Sequence, residues 1–312
     1  MPLKLPPQQP AVPGTIFNPY ADLAGGRWLK GNLHAHTTHS DGTSTPQQVV
    51  DIYASKGHDF LMISDHDILT TAEDHAQLDR QGLILIPGNE ISRSGPHMLH
   101  VGARELIYPH MPRQRVINEA VASGGFIVVA HPNWQGQFNH ARIEQMQEWV
   151  DYLGMEIYNG AIGRLDGSSY ALDKWDLLLS AGRQVWGFAN DDSHHAQFND
   201  YALGWNVAYV TDPTPQGVVA ALQAGRFYAS TGVTISSITL NDRTIRIESP
   251  DAQRIVAYHQ IGKRFATVDS NVMEVTIPEH ASYVRFECWG KGETFAWTQP
   301  IFHVPFPAAP KK

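Results

Sequence analysis

Five times along the chain, an apolar run ends in residues that bind metal ions. Asn32-Leu33 leads to His34-Ala35-His36 and on to Asp41, and Leu61-Met62-Ile63 leads to Asp65-His66-Asp67. Leu83 to Ile86 leads to Gly88-Asn89-Glu90, and Phe126 to Ala130 leads to His131. Val185 to Phe188 leads to Asp191-Asp192-Ser193-His194. Imidazole nitrogen suits zinc, iron and manganese, while carboxylates bridge two ions and neutralise their charge. Side chains alternate along a strand, so His34 and His36 share one side. About nine ligands over-supply one cation and fit two or three. Such a cluster polarises a substrate oxygen, lowers the pKa of a bound water and stabilises the leaving oxygen. The histidines point the same way: of 16, eleven lie between His34 and His140 and only three beyond residue 240. An excess confined to one part of the chain reads as a site.

These residues need elements that carry them to one place. Near-continuous apolar runs of this length predict buried parallel strands. Between them, Thr45-Pro46-Gln47-Gln48 combines an N-cap, a first-turn proline and a capping-box glutamine. Val49, Ile52 and Tyr53 then give an apolar face, and Gly57 suits the stop. Similar helical stretches fall near 113–123, 142–152, 169–181 and 215–224. Alternating strand and helix predicts an α/β fold with a parallel sheet. In a parallel barrel the C-terminal strand ends meet on one face, where catalytic groups sit. After Gly232 the pattern turns to short β-rich segments with Asn-Asp, Ser-Pro and Gly-Lys turns. The division expected is an N-terminal extension (1–27), an α/β unit (28–232), a small antiparallel β domain (233–306) and a tail (307–312).

Composition narrows the function. With 42% hydrophobic and 17% charged residues, 312 residues can build a substantial core. One cysteine, Cys288, excludes a disulfide framework and a cysteine-cluster zinc site. The net charge of -8 argues against a protein that coats extended nucleic acid, but not against a small phosphorylated substrate. No apolar stretch is long enough to span a bilayer. Prolines stand where a signal peptide needs an apolar run, so a cytoplasmic protein is expected. Nothing in the sequence speaks to oligomeric state.

Taken together, the motifs resemble the polymerase and histidinol phosphatase (PHP) superfamily of metal-dependent phosphoesterases. The resemblance rests on His34-Ala35-His36-Thr37 with Ser40-Asp41-Gly42, Ile63-Ser64-Asp65-His66-Asp67, Gly88-Asn89-Glu90, Val129-Ala130-His131-Pro132 and Asp192-Ser193-His194. Glu156 to Gly160, Gly225 to Gly232 and Ala296 to Phe302 are similar to the branch named for CehA and McbA, which includes carbaryl-type ester hydrolases. The resemblance implies a distorted seven-stranded (β/α) barrel and up to three divalent cations (zinc, manganese or iron). The first cation would take His34, His36, Glu90 and Asp192. The second would share Glu90 and add His97 and His131. The third would take Asp41, His66 and His194. A hydroxide bridging two ions would be the nucleophile. The family pattern favours His97 over His100, and Asp192 over Asp191.

Other residues carry weaker signals. His39 and His195 flank ligands and are candidates for a proton donor. Arg93 and Arg164 follow strand ends and could fork onto a phosphate. Asp65 and Asp67 read as residues that orient a ligand or cap the following turn. Glu156 ends a strand and is read either as approaching the metals or as making a structural hydrogen bond. His58, His75, His110, His140, His259, His280 and His303 read as ordinary surface or core histidines. The function expected is hydrolysis of a small phosphomonoester or phosphodiester. A carboxylic or carbamate ester hydrolase on the same cations is the alternative, and a non-catalytic metal-binding module the third reading.

Overall fold

The computed structural model describes residues 14–304, so the expected tail lies outside the described residues. The helix Pro46–Ser55 forms as its sequence dictates. Thr45 accepts the Gln48 backbone N–H, and the Gln48 side chain accepts that of Thr45 in return. Val49, Val50 and Tyr53 are buried, and Gly57 follows the last turn in the left-handed conformation that favours glycine. Tyr53 uses its hydroxyl to donate to Asp191, which seats the helix beside the Asp191-Asp192 loop.

Five strands form one sheet, in the order Gly88–Ile91, Met98–Val101, Phe126–Val129, Gly154–Asn159 and Trp186–Asn190. The strands Arg27–Asn32, Phe60–Leu61 and Ile84–Leu85 run parallel to one another in a second sheet. Single bridges from Ala35 to Ser193 and from His66 to Glu90 connect the two sheets at the ends that bear the motif residues. Strand Phe126–Val129 explains the continuous apolar runs. Phe126 and Val128 enter a cluster with Leu29, Phe60 and Phe188, whereas Ile127 and Val129 pack with Val116, Ile117, Trp175 and Leu178 of the covering helices. Both faces are buried, so both faces are apolar.

The parallel expectation needs correction in one region. Gly88–Ile91 pairs antiparallel with Met98–Val101, which pairs antiparallel with Phe126–Val129. The connection 92–97 is too short for a parallel crossover, which takes about a dozen residues or more. The chain must turn back as a hairpin.

Beyond residue 232 the strands are antiparallel. Phe295–Thr298 pairs with Phe227–Ser230, so the second sheet continues into this region. The fold is therefore mixed α/β with additional β sheets. Fully buried Gln299 completes the junction: its amide bonds both the backbone N–H and the carbonyl of Gly187, each at 2.8 Å. Near the N-terminus, Ile16–Phe17 forms a strand against Ile301–His303. No helix among the described residues is long and apolar enough to cross a membrane.

Candidate metal centre

Glu90 lies at the centre of the site. Its strand position is fully buried, and its carboxylate is surrounded by imidazoles. Oε1 lies 3.3 Å from His34 Nε2 and 3.1 Å from both His97 Nδ1 and His131 Nε2. Oε2 lies 3.4 Å from His36 Nε2 and 2.8 Å from His66 Nδ1. Asp192 Oδ1 stands 3.2 Å from the Nε2 atoms of both His34 and His36. Asp41 reaches in from the loop after His36, 3.6 Å from His66 Nε2 and 3.5 Å from His194 Nε2. The turn needs Gly42, because a Cβ there would sit 2.6 Å from the His36 backbone.

These spacings suit shared cations. His34 Nε2, His36 Nε2 and Glu90 Oε2 are buried and make no hydrogen bond, although donor-type atoms stand close by. Lone pairs that converge on a common point fit an ion at about 2.0–2.2 Å from each ligand. Grouped by distance, the ligand atoms fall into sets compatible with cations. Examples are His34, His36 and Asp192; His34, Glu90 and His131; and His36, Asp41, His66 and His194. All nine residues expected to bind metal are brought into this cluster.

Electrostatics follow from the crowding. Burial alone would raise the Glu90 pKa, but the imidazoles of His34, His97 and His66 hold it well below the usual carboxylate range. Asp192 is depressed in the same way by His34, His36 and His194, against its own burial. Burial opposes a charge on His34, yet Asp192, Glu90 and Glu156 raise its pKa well above normal. His66 is pushed up to about 10 by Glu90 and Asp41 despite partial burial. Metal ligation requires neutral rings. Raised histidines carry protons at neutral pH that a cation must displace, so affinity should climb with pH. Cation uptake is expected to release protons, measurable by titration calorimetry in buffers of different ionisation enthalpy. Uptake with no proton release would contradict these raised values.

A buried layer aims the ligands. Glu156 Oε1 accepts from His34 Nδ1 at 2.8 Å and from Asn190 at 2.9 Å. Its Oε2 accepts from the His131 backbone N–H at 2.7 Å and from Asn159 at 2.8 Å. In the neutral ring that ligation requires, His34 Nδ1 therefore keeps the proton and Nε2 turns its lone pair to the cluster. His194 is set likewise, its Nδ1 donating to the Asp192 carbonyl at 2.8 Å. Asp65 accepts from the Thr37 backbone and hydroxyl and from Ser40, which fixes the loop between His36 and Asp41. His131 and Asp192 have positive φ (26° and 56°), a conformation costly for non-glycine residues and often found where function over-determines it. Glu156→Gln is expected to weaken cation affinity by about 10–100-fold. Competition with a chromogenic chelator would measure this.

The two ambiguities of the sequence separate in space. His97 faces Glu90, whereas His100 is fully buried, and desolvation drives its pKa down to about 4. Asp191 faces away from the cluster and accepts from Tyr53 and from the backbone N–H groups of Ala202, Leu203 and Gly204.

A cavity opens beside the ligands. Its far wall is formed by Trp134, Ala161, Ile162, Arg164, Leu165 and His195. His195 thus faces the cavity, and its buried Nδ1 has no hydrogen-bond partner. Arg164 also lines it, but its fork is taken by Asp200 at 3.0 and 2.7 Å. His39 is exposed and does not line the cavity. Arg93 points to solvent, its side chain 69% exposed, with Nε 3.5 Å from Asp67.

Sequence reasoning missed His140. Read as an ordinary histidine, it instead packs on His97, His131 and Trp134, and its Nε2 accepts the His97 backbone N–H at 2.9 Å. The loop that carries it doubles back after His131. Lys174 holds it there, its buried ammonium bonding the carbonyls of Pro132, Phe138 and Ala141 at 2.6–2.8 Å. No local pattern marks a residue delivered by a loop in this way.

No family model matches the chain. A stretch of 72 residues, 22% of this chain, is 38% identical to a 3',5'-nucleoside bisphosphate phosphatase of Chromobacterium violaceum and spans 25% of that relative's length. A two-domain protein from Bacteroides vulgatus containing a predicted PHP-like metal-dependent phosphoesterase is similar in structure. The TM-score is 0.56 at 18% identity, over 89% of this chain and 88% of that one. An amidohydrolase from Chromobacterium violaceum, solved with sulfate and no metal, covers 53% of this chain and 87% of its own, with 17% identity and a TM-score of 0.40. The likeness to the Bacteroides protein is one of fold, a mixed α/β architecture.

Proposed function

We propose that the chain hydrolyses small phosphomonoesters or phosphodiesters with two or three divalent cations, zinc, manganese or iron. The observation that carries this reading is Glu90, a buried carboxylate against His34, His36, His66, His97 and His131 beside a cavity. His34, His36, Glu90 and Asp192 would hold one cation; Glu90, His97 and His131 a second; Asp41, His66 and His194 a third. Bound there, the cations supply Lewis-acid polarisation of a phosphoryl oxygen and a water activated at neutral pH.

The chain's own groups complete the chemistry. Glu156 keeps His34 in one tautomer and orientation. Asn159 bonds both Glu156 and Asp192, at 2.8 and 3.2 Å, and ties the two acids together. His195 is the proton donor to the leaving oxygen in this reading, because of His39, His195, Arg93 and Arg164 only His195 and Arg164 line the cavity, and Arg164 is paired with Asp200. The name of the Chromobacterium phosphatase and the description of the Bacteroides protein both favour a phosphoester substrate.

The architecture fits the same reading. The bridges Ala35–Ser193 and His66–Glu90 support a distorted seven-stranded barrel over 28–232, and the antiparallel pairing beyond residue 232 supports a β domain over 233–306. Antiparallel pairing of Phe227–Ser230 with Phe295–Thr298 joins two segments that resemble the CehA and McbA branch and supports placing the chain there. An apolar cavity wall with one committed arginine also favours a second reading, a carboxylic or carbamate ester hydrolase.

The test is chelation, reloading with each metal, and assay on nitrophenyl phosphate, its diester and a naphthyl carbamate. Phosphoester turnover that disappears with chelator and returns with metal is expected. Carbamate cleavage with neither phosphate cleaved would favour the second reading.

A further inference from the structure

The cavity has two unlike walls. One is the ligand cluster. The other carries Trp134, Ile162 and Leu165, contiguous with the ligands in a single opening. Leu165 is left 44% exposed, and Phe198, against the edge of His195, is 55% exposed. Large apolar side chains left in solvent beside a polar centre mark a surface that something apolar covers.

Charge decides what that something is. Among the described residues lining the cavity, Arg164 is the only lysine or arginine. Asp200 takes its guanidinium through two bonds and also accepts the backbone N–H groups of His194 and His195, at 3.3 and 3.0 Å. The guanidinium carbon lies 5.3 Å from the Phe198 ring centre. Its charge is balanced by Asp200, which engages Nε and Nη2 of the guanidinium. A second phosphate or a carboxylate on the leaving group would be desolvated against this wall with no free cation to meet it, which is costly.

Resting on the phosphoester reading, we infer that the wall of Trp134, Ile162 and Leu165 is a subsite for an uncharged, apolar leaving group, and that Ile162 and Leu165 set this specificity. The substrate class is a phosphate ester of an apolar, aryl-type alcohol, rather than an ester bearing a second anionic group. The phosphoryl group would sit on the side where Asp41, His66, His97, His131, Asp192 and His194 would hold the cations, with the leaving oxygen towards His195.

Three esters of closely matched leaving-group acidity test this on the metal-loaded protein: phenyl, 4-propylphenyl and 4-(carboxymethyl)phenyl phosphate. The corresponding arylphosphonates, which cannot be hydrolysed, give the same comparison as binding constants by calorimetry. Partial burial of the propyl group should favour the propyl ester over the phenyl ester by about tenfold in kcat/KM, with the propyl phosphonate gaining similarly in affinity. The carboxymethyl compounds should fall below the phenyl ones. Leu165→Ser, at an exposed position where folding is not at stake, and Ile162→Ala should each pull the propyl-to-phenyl ratio towards one. Equal ratios, or a preference for the carboxymethyl compounds, would overturn the subsite. Absence of turnover on all three esters would instead overturn the phosphoester reading, while the phosphonate affinities still decide the subsite.

Discussion

Glu90→Gln is expected to lower kcat/KM on a phosphoester by about a thousandfold or more and to strip the protein of most of its bound metal. The substitution keeps the shape of the side chain and removes its charge. It also turns one end of the carboxylate into a donor that faces imidazole nitrogens. Among the described residues, no other carboxylate reaches His34, His36, His66, His97 and His131 together. Polarisation by a bound cation contributes several kcal/mol to hydrolysis, and each ~1.4 kcal/mol is tenfold in rate, which sets the size of the loss. Metal content, kcat/KM and thermal midpoint should be read on the same preparation. A folded variant with full metal and activity within about tenfold of the parent would refute the central role given to Glu90.

The second large effect concerns stability and lies far from the cluster. Arg285 is buried and forks onto Asp176 at 2.8 and 2.6 Å, with Glu287 at 2.8 Å. Tyr283 adds a bond to Asp176 at 2.9 Å. The guanidinium also lies over Tyr258 and Trp175. This network joins the helix Leu172–Ser180 to the strand Tyr283–Trp289 and so ties the α/β region to the β-rich region. Arg285→Met leaves two buried carboxylates without their counter-charge. A loss of about 3–5 kcal/mol is expected in urea unfolding, because breaking a buried pair costs far more than removing all of it. Adding Asp176→Leu and Glu287→Leu should recover much of the loss. A single variant as stable as the parent would show that the network contributes little.

Much of the candidate centre was legible because the residues of its cluster sit at the ends of apolar strands. His34, His66, Glu90, His131 and Asp192 each follow a run that packs on both faces, and the strand ends converge. Asp41 could be read from its turn, where only glycine fits after it. His140 could not, because it arrives on a loop whose course is fixed by Lys174, more than thirty residues away. The antiparallel course of Gly88–Ile91 and Met98–Val101 was legible in principle from the short connection, but the apolar pattern of a doubly buried strand does not reveal its direction. The Arg285–Asp176 pair spans 109 positions, and nothing local marks either residue as a partner. Ile162 and Leu165 of the apolar cavity wall escaped notice for a related reason. Ile162 and Leu165 look like ordinary loop hydrophobics until the loop is seen beside the ligands.

The most direct measurement is anomalous diffraction from crystals of the protein loaded with zinc or manganese, collected at the metal edge. The account predicts at least two peaks around Glu90, each within bonding distance of its oxygens or of His34, His36, His97, His131 or Asp192. Peaks confined to other parts of the surface, or none at all under saturating metal, would contradict it.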